Sequence, residues 1–424
     1  MQHFFRDQSY LKYNVIALVL SNLAAALNYT TSIYLARSLS VEGYGIYYAL
    51  QASSPVFFSM VAFIPCSILN AIAAFKNDKE KAHHLVSNLL RIYGALSAGL
   101  MFVLFSSLTF MMKFLNVLDF NLMVIFALTW CPILMMSFLQ GLVQGHLLFK
   151  HLTIKDAFLS LAKILLMILF ISGMNFGYIG AALAELLATT IVAGWMFLSI
   201  RKYIPMPTFQ PRSFLWKEIF SIWRISFLPA VSMSLIGFLM MVDIVAVKHF
   251  FSDFESGIYT AGATLGRIPF IFSGVLVTLL FPQIANDGED DQAALKNLGI
   301  TAGIVGISAL LFSVMLSWQG ERVLSALFGS HFIASETAMI WVLVSSSLLA
   351  MVNVLFNYML AKRYWTFLIP CGAVVGFSFY RMKLSPPSET FQIPQSFSWM
   401  LGEVLIVGVF FMFYYHRKSF VRRP

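Results

Sequence analysis

Residues 121–147 read NLMVIFALTWCPILMMSFLQGLVQGHL, a run of 27 residues that contains no Asp, Glu, Lys or Arg. About 20 consecutive apolar residues in an α-helix are enough to cross the hydrocarbon core of a bilayer. This run can therefore span a membrane as one helix. The rest of the chain contains eleven more predominantly apolar stretches, which are 16 to 30 residues long, and together they decide the fold.

Hydropathy predicts an all-α polytopic membrane protein with about twelve transmembrane helices. The predicted spans cover residues 14–37, 44–73, 86–110, 121–147, 156–174, 177–199, 219–247, 257–285, 298–318, 334–360, 364–379 and 397–415. Pro65 and Pro282 are predicted bend points in the second and eighth spans. Hydrophobic residues make up 59% of the chain and charged residues 11%, against about 45–50% and about 25% in soluble domains. This composition excludes an ordinary soluble enzyme and a disordered chain.

The distribution of Lys and Arg predicts the orientation in the membrane. With the N-terminus placed inside, 20 of the 28 basic residues fall in inside tails and loops or close to the inner ends of spans, and 6 fall in outside loops or at an outer span end. Cytoplasmic loops of membrane proteins carry such an excess. We therefore predict that both ends of the chain are cytoplasmic. The net charge of +9 is interpreted as a signal of topology, so no nucleic acid partner is expected.

Two segments resemble each other at an offset of 212 residues. Residues 38–47 read SLSVEGYGIY and residues 250–259 read FFSDFESGIY, so that Ser, Gly, Ile and Tyr recur in register. We interpret the chain as two parallel repeats of six spans, an N-terminal lobe over 1–205 and a C-terminal lobe over 206–424. Transporters built from such repeats bind their substrate between the halves and expose it alternately to the two sides.

Four ionisable residues inside predicted spans are the candidate site residues. An ionisable group at the centre of a bilayer costs about 2.5–3.5 kcal/mol on insertion scales, so it usually faces a cavity or a partner. Arg267 and Lys163 are predicted to bind substrate in a cavity, since a guanidinium fork and an ammonium together suit a diphosphate. Asp243 and Glu185 are predicted to couple an ion or to act as charge partners. Internal pairing, Lys163 with Glu185 and Arg267 with Asp243, is the alternative interpretation.

Other motifs concern packing and chemistry. Gly141-x-x-x-Gly145 and Gly262-x-x-x-Gly266 predict close contacts between helices.

The sequence has no ATP-binding P-loop and no constellation of a nucleophile and a base. We therefore predict no enzymatic activity, no catalytic residues, no metal site and no cofactor.

A family resemblance is carried by the repeated segments. Residues 34–47, YLARSLSVEGYGIY, resemble the opening of polysaccharide exporters, the Wzx-type O-antigen flippases of the multidrug/oligosaccharidyl-lipid/polysaccharide superfamily. Residues 252–259 resemble the connection between the seventh and eighth spans of that family. Residues 327–332, LFGSHF, resemble its outer loop before the tenth span. The likeness covers about residues 10–365.

The resemblance implies two six-helix lobes like those of MATE transporters, with a central cavity that is often cationic. It implies a flippase that moves a polyprenyl-diphosphate-linked oligosaccharide across the cytoplasmic (inner) membrane of a bacterium. Such a protein serves the assembly of surface polysaccharide, such as the O-antigen of lipopolysaccharide. Arg267 and Lys163 are the candidates for the cationic role. The implied partners are the lipid-linked oligosaccharide, membrane lipids and the polysaccharide polymerase machinery.

Two other functions remain open from the sequence. A multidrug or small-cation antiporter of the same superfamily has the same architecture, but it would favour membrane carboxylates in the N-terminal lobe. Glu185 in that lobe is accompanied by Lys163, which favours an anionic substrate. A membrane glycosyltransferase or polymerase would need a large outer loop, and no predicted loop exceeds about twenty residues.

Overall fold

The computed structural model describes residues 8–203, 215–274, 291–362, 364 and 366–421. Within these ranges the regular secondary structure is helical, as the sequence predicts. The first half contains α1 (Gln8–Ser38), α2 (Val41–Val61), α3 (Phe63–Ala74), α4 (Lys79–Phe114), α5 (Phe120–Gly145), α6 (Phe149–Met167), a π-helical turn (Ile168–Gly173) and α7 (Gly177–Ile200). The second half contains α8 (Trp216–Phe250), α9 (Asp253–Gly266), helical residues 268–274, α10 (Asp291–Leu327), a 3₁₀ segment (Ser330–Ser335), α11 (Glu336–Ala361), α12 (Leu368–Leu384) and α13 (Gln392–Val421).

The described helices overlap all twelve predicted spans, in agreement with a polytopic membrane fold. Seven of the described helices are long and apolar enough to cross a membrane individually, namely those over 79–114, 120–145, 177–200, 216–250, 293–327, 330–361 and 392–415. The five other predicted spans correspond to α1, α2 with α3, α6 with its π-helical turn, α9 with residues 268–274, and α12. In the eighth predicted span, 275–285 lie outside the described residues.

The sequence repeat corresponds to a repeat of local structure. α1 ends at Ser38 and α8 ends at Phe250, while α2 begins at Val41 and α9 begins at Asp253, so both pairs are 212 positions apart. The two repeated serines receive hydrogen bonds at the helix starts. The Ser40 hydroxyl accepts one from Gly43 N–H at 3.1 Å, and the Ser252 hydroxyl accepts one from Glu255 N–H at 3.3 Å. The repeated Ser is therefore an N-cap, which satisfies backbone N–H groups that have no partner within the helix.

Proline residues interrupt two of the predicted spans. α2 ends at Val61 and α3 begins at Phe63, so Pro65 is the third residue of a new helix and the predicted bend is confirmed. The eighth span is interrupted at Arg267, two residues before Pro269. The hydroxyl of Ser346 on α11 donates to the Gly266 carbonyl at 2.6 Å, which satisfies an acceptor at this break. The predicted bend at Pro282 lies outside the described residues.

Both Gly-x-x-x-Gly motifs lie at close helix contacts, as predicted. A Cβ atom built on Gly141 would lie 2.9 Å from the Cα of Pro65 on α3. A Cβ atom built on Gly262 would lie 2.8 Å from the carbonyl oxygen of Ser335, at the start of α11. A methyl group at either position would therefore require the backbone to move. Glycine at these positions permits the close approach of the neighbouring helical segments.

The chain forms two compact units. The first unit comprises 1–43 and 57–231 and the second comprises 44–56 and 232–424, in both cases as far as the residues are described. The first unit has a core between α3, α4, α5 and α7 that includes Ile68, Leu85, Leu89, Leu142 and Met196. In the second unit, α11 packs against α9, α10 and α13. The predicted lobe boundary between residues 205 and 206 lies among 204–214, outside the described residues, and it stays a prediction.

Candidate functional site

In the second unit, two of the predicted site residues meet. Asp243 lies on α8, and Arg267 lies at the break after α9. Their side chains are buried, with only 9% and 7% of the side-chain surface exposed. Nη2 of Arg267 donates a hydrogen bond to Oδ1 of Asp243, and the two groups form an ion pair. The alternative of internal pairing, which the sequence left open, therefore describes this structure.

Tyr259 completes the arrangement around the carboxylate. Its hydroxyl donates a hydrogen bond of 2.7 Å to Oδ2 of Asp243, so each carboxylate oxygen accepts a hydrogen bond. Tyr259 lies on α9 and its side chain is buried. The sequence repeat contained this tyrosine, but repetition alone did not identify it as a partner of Asp243. Two hydrogen bonds from fixed side chains hold the carboxylate in one position.

A small cavity lies beside this ion pair. Its volume is about 20 Å³, which gives room for about one water molecule. The lining includes Asp243, Arg267, Ser345, Ser346 and Phe397. A guanidinium group has five N–H donors. Apart from its bond to Asp243, the Arg267 side chain donates no hydrogen bond to the residues that the structure describes. Its remaining donors can therefore serve a water molecule or an anion.

The first unit contains the other predicted pair. Nζ of Lys163 on α6 lies 2.6 Å from Oε2 of Glu185 on α7. The two side chains are 20% and 10% exposed. Here too the structure matches the alternative of internal pairing. Each predicted cation thus has an acidic partner within its own unit, and a role of Lys163 in binding substrate stays a prediction.

Two further buried lysines were not predicted. Lys155 donates to Oε1 of Gln140 at 3.2 Å and lies 2.9 Å from a carboxylate oxygen of Asp156. Lys248 is fully buried and forms an ion pair with Asp253. Both lysines lie one residue outside a predicted span, and the structure places both within helices, because α6 begins at Phe149 and α8 extends to Phe250. These helices extend several residues beyond the predicted spans, since hydropathy detects the apolar part of a helix and not its polar ends.

Comparison with known proteins identifies the family. A family model described as "Polysaccharide biosynthesis protein" matches residues 11–286, about two thirds of the chain. The chain belongs to this polysaccharide biosynthesis family. The match confirms the family resemblance that residues 34–47 carry. No curated protein matches the sequence at a significant level.

Solved structures share the fold of this family member at low sequence identity. An inward-facing multidrug resistance MATE transporter of the MOP superfamily has a TM-score of 0.70 and 13% identity, with 96% of this chain and 98% of that chain covered. The lipid II flippase MurJ in an inward closed conformation has a TM-score of 0.72 and 11% identity, with coverages of 94% and 87%. A MOP superfamily transporter from Pyrococcus furiosus, described as having a binding pocket of reverse polarity, has a TM-score of 0.61, 15% identity and coverages of 98% and 96%. The fold is therefore that of MOP superfamily transporters, as predicted.

Proposed function

We propose that this protein is a flippase that moves a polyprenyl-diphosphate-linked oligosaccharide across the cytoplasmic membrane of a bacterium by alternating access. The observation that carries the proposal is the match of 11–286 to a polysaccharide biosynthesis family on a chain with a transporter fold. A membrane protein of this family that transports rather than synthesises would supply lipid-linked units for surface polysaccharide, such as O-antigen. Polysaccharide polymerase machinery is then the expected downstream partner.

The charges inside the helices support an anionic substrate. Arg267 lines a cavity and uses one of its donors on Asp243, so it retains donors for phosphate oxygens. The carboxylates of Asp243 and Glu185 are each neutralised by a basic partner. An organic cation would have to compete with Arg267 or Lys163 for these carboxylates. A diphosphate would instead compete with the carboxylates for the two cations.

A multidrug or small-cation antiporter is the second candidate function. The MATE transporters favour it, since one aligns over 96% of this chain with a TM-score of 0.70. Likeness at 13% identity concerns the fold, whereas substrates differ among proteins of one fold. The family match and the paired carboxylates make the flippase the better-supported function.

Deletion of the gene tests the choice between these two functions. We expect loss of the surface glycan and accumulation of its lipid-linked unit on the cytoplasmic leaflet. The measurement is glycan electrophoresis together with enzymatic labelling of lipid-linked sugar in inverted vesicles, with plasmid complementation as the control. A deletion strain with normal surface glycan and new hypersensitivity to cationic drugs would refute the flippase and support the antiporter.

A further inference from the structure

The Asp243 carboxylate binds the same guanidinium group of Arg267 that is proposed to bind the diphosphate. Nη2 of Arg267 donates to Oδ1 of Asp243, and the hydroxyl of Tyr259 holds Oδ2 at 2.7 Å. The adjoining cavity of about 20 Å³ is too small for a diphosphate, since it holds about one water molecule. A diphosphate that contacts this guanidinium must therefore share it with the Asp243 carboxylate, whose negative charge opposes it, or displace that carboxylate.

We propose that the Asp243 carboxylate competes with the substrate diphosphate for the Arg267 guanidinium and so displaces the diphosphate when the substrate is released. In this proposal Tyr259 is a positioning residue that holds Asp243 next to Arg267. The inference rests on the proposed function and assigns a step to the same site. When the diphosphate binds, it breaks the pair of Asp243 and Arg267. When the pair re-forms, the free energy of that contact offsets the loss of the phosphate contact, and the substrate is released.

The need for such a group follows from the chemistry of transport. Charge-assisted hydrogen bonds from arginine to phosphate are strong and bidentate. A carrier that bound a diphosphate through an uncompensated buried guanidinium would release it slowly, because most differences in affinity appear in the dissociation rate. A carboxylate held at the same guanidinium lowers the net affinity without removing the specific contact.

The sequence repeat supports the view that Asp243 and Arg267 act together as a pair. At an offset of 212, Tyr259 corresponds to Tyr47, so the tyrosine is present in both copies. Asp243 corresponds to Thr31 and Arg267 corresponds to Pro55. The first copy therefore has neither member of the pair, and the charged groups occur together in the second copy alone.

Binding of inorganic pyrophosphate and of geranyl diphosphate to the purified full-length protein tests the proposal. Isothermal titration and ligand-induced thermal stabilisation measure the affinity of the wild type and of Asp243→Asn. We expect Asp243→Asn to bind both probes at least about tenfold more tightly, since loss of a competing charged hydrogen bond has that effect. The double variant Asp243→Asn, Arg267→Ala should lose this gain.

Asp253→Asn is the matched control. Asp253 is also the carboxylate partner of a buried base, Lys248, in the same unit, but it does not line the cavity. The Asp253→Asn variant should bind both probes with the affinity of the wild type. An equal gain of affinity in Asp253→Asn would overturn the proposal, because the effect would then reflect net charge.

A second variant keeps the test valid if Asp243→Asn fails to fold. Tyr259→Phe preserves both charges but removes the bond that holds Oδ2, so the affinity for pyrophosphate should rise by about two- to tenfold. Unchanged affinity in the folded variants would overturn the competitor role. That result would leave the flippase function standing, provided that the deletion strain still lost its surface glycan.

A transport assay should also show slower glycan export by Asp243→Asn despite its tighter binding. Faster or equal export would contradict a role of Asp243 in release of the substrate.

Discussion

At the scale of single residues, Arg267 has two separable roles, in stability and in transport. It balances the charge of Asp243 in a buried site, and it lines the cavity beside that residue. Removal of one member of a buried ion pair costs about 3–5 kcal/mol, because the other charge is left without a partner. Removal of both charges is often nearly neutral. These two facts allow the structural role to be cancelled while the role in transport is tested.

We therefore expect Arg267→Ala to lower the amount of protein in the membrane and its melting temperature. The double variant Arg267→Ala, Asp243→Asn should recover both quantities but should not restore glycan export, since the cation is absent. Arg267→Lys should keep partial export, because it retains the charge but loses the planar fork. Immunoblotting of membranes, thermal unfolding and surface glycan analysis measure these effects. Full export by the well-expressed double variant would contradict a substrate role for Arg267.

At the scale of helices, a close contact joins the two copies of the repeated segment. A Cβ atom built on Gly45 of α2 would lie 2.6 Å from both the carbonyl oxygen of Asp253 and the amide nitrogen of Gly257 on α9. Gly45 and Gly257 are equivalent positions of the repeat, and both belong to the second unit. The repeated glycine is thus explained by backbone contact between equivalent helices.

Gly45→Ala should therefore lower the melting temperature and the membrane level of the protein, because backbone atoms of α9 would have to move. Gly99 of α4 provides the control, since a Cβ atom there would have no neighbour within 4 Å. Gly99→Ala should be neutral or stabilising by up to about 1 kcal/mol, the difference in helix propensity between the two residues. Thermal unfolding of both variants in one detergent makes the comparison. Equal melting temperatures would show that α9 adapts without cost.

At the scale of the whole molecule, the distribution of basic residues predicts cytoplasmic ends. Asn77 lies in the exposed turn between α3 and α4, and Ser388 lies in the exposed turn between α12 and α13. In a variant with Cys66, Cys131 and Cys371 replaced by Ala, Ser388→Cys should react with an impermeant maleimide in intact cells. Asn77→Cys should react only after the cells are permeabilised. The opposite labelling pattern would invert the predicted topology.

The amino-acid sequence was sufficient to predict the family, the helical membrane fold, the approximate spans and the repeat. It could do so because apolar runs of about 20 residues, capping serines and small residues at close contacts are local signals. It also identified the four ionisable residues, because charge inside an apolar run is unusual.

The pairing of the charged side chains could be read from the packing of the helices and not from the sequence. The sequence offered both a cavity role and pairing for Arg267 and Lys163, and the structure pairs them with Asp243 and Glu185. It also decided that residues 44–56 of α2 pack in the second unit, although the rest of that helix belongs to the first. The bond from Tyr259 to Asp243 and the burial of Lys248 depend equally on the packing of separate helices. Hydropathy cannot supply such facts, since it records how apolar a residue's neighbours in the chain are and not which side chains meet in space.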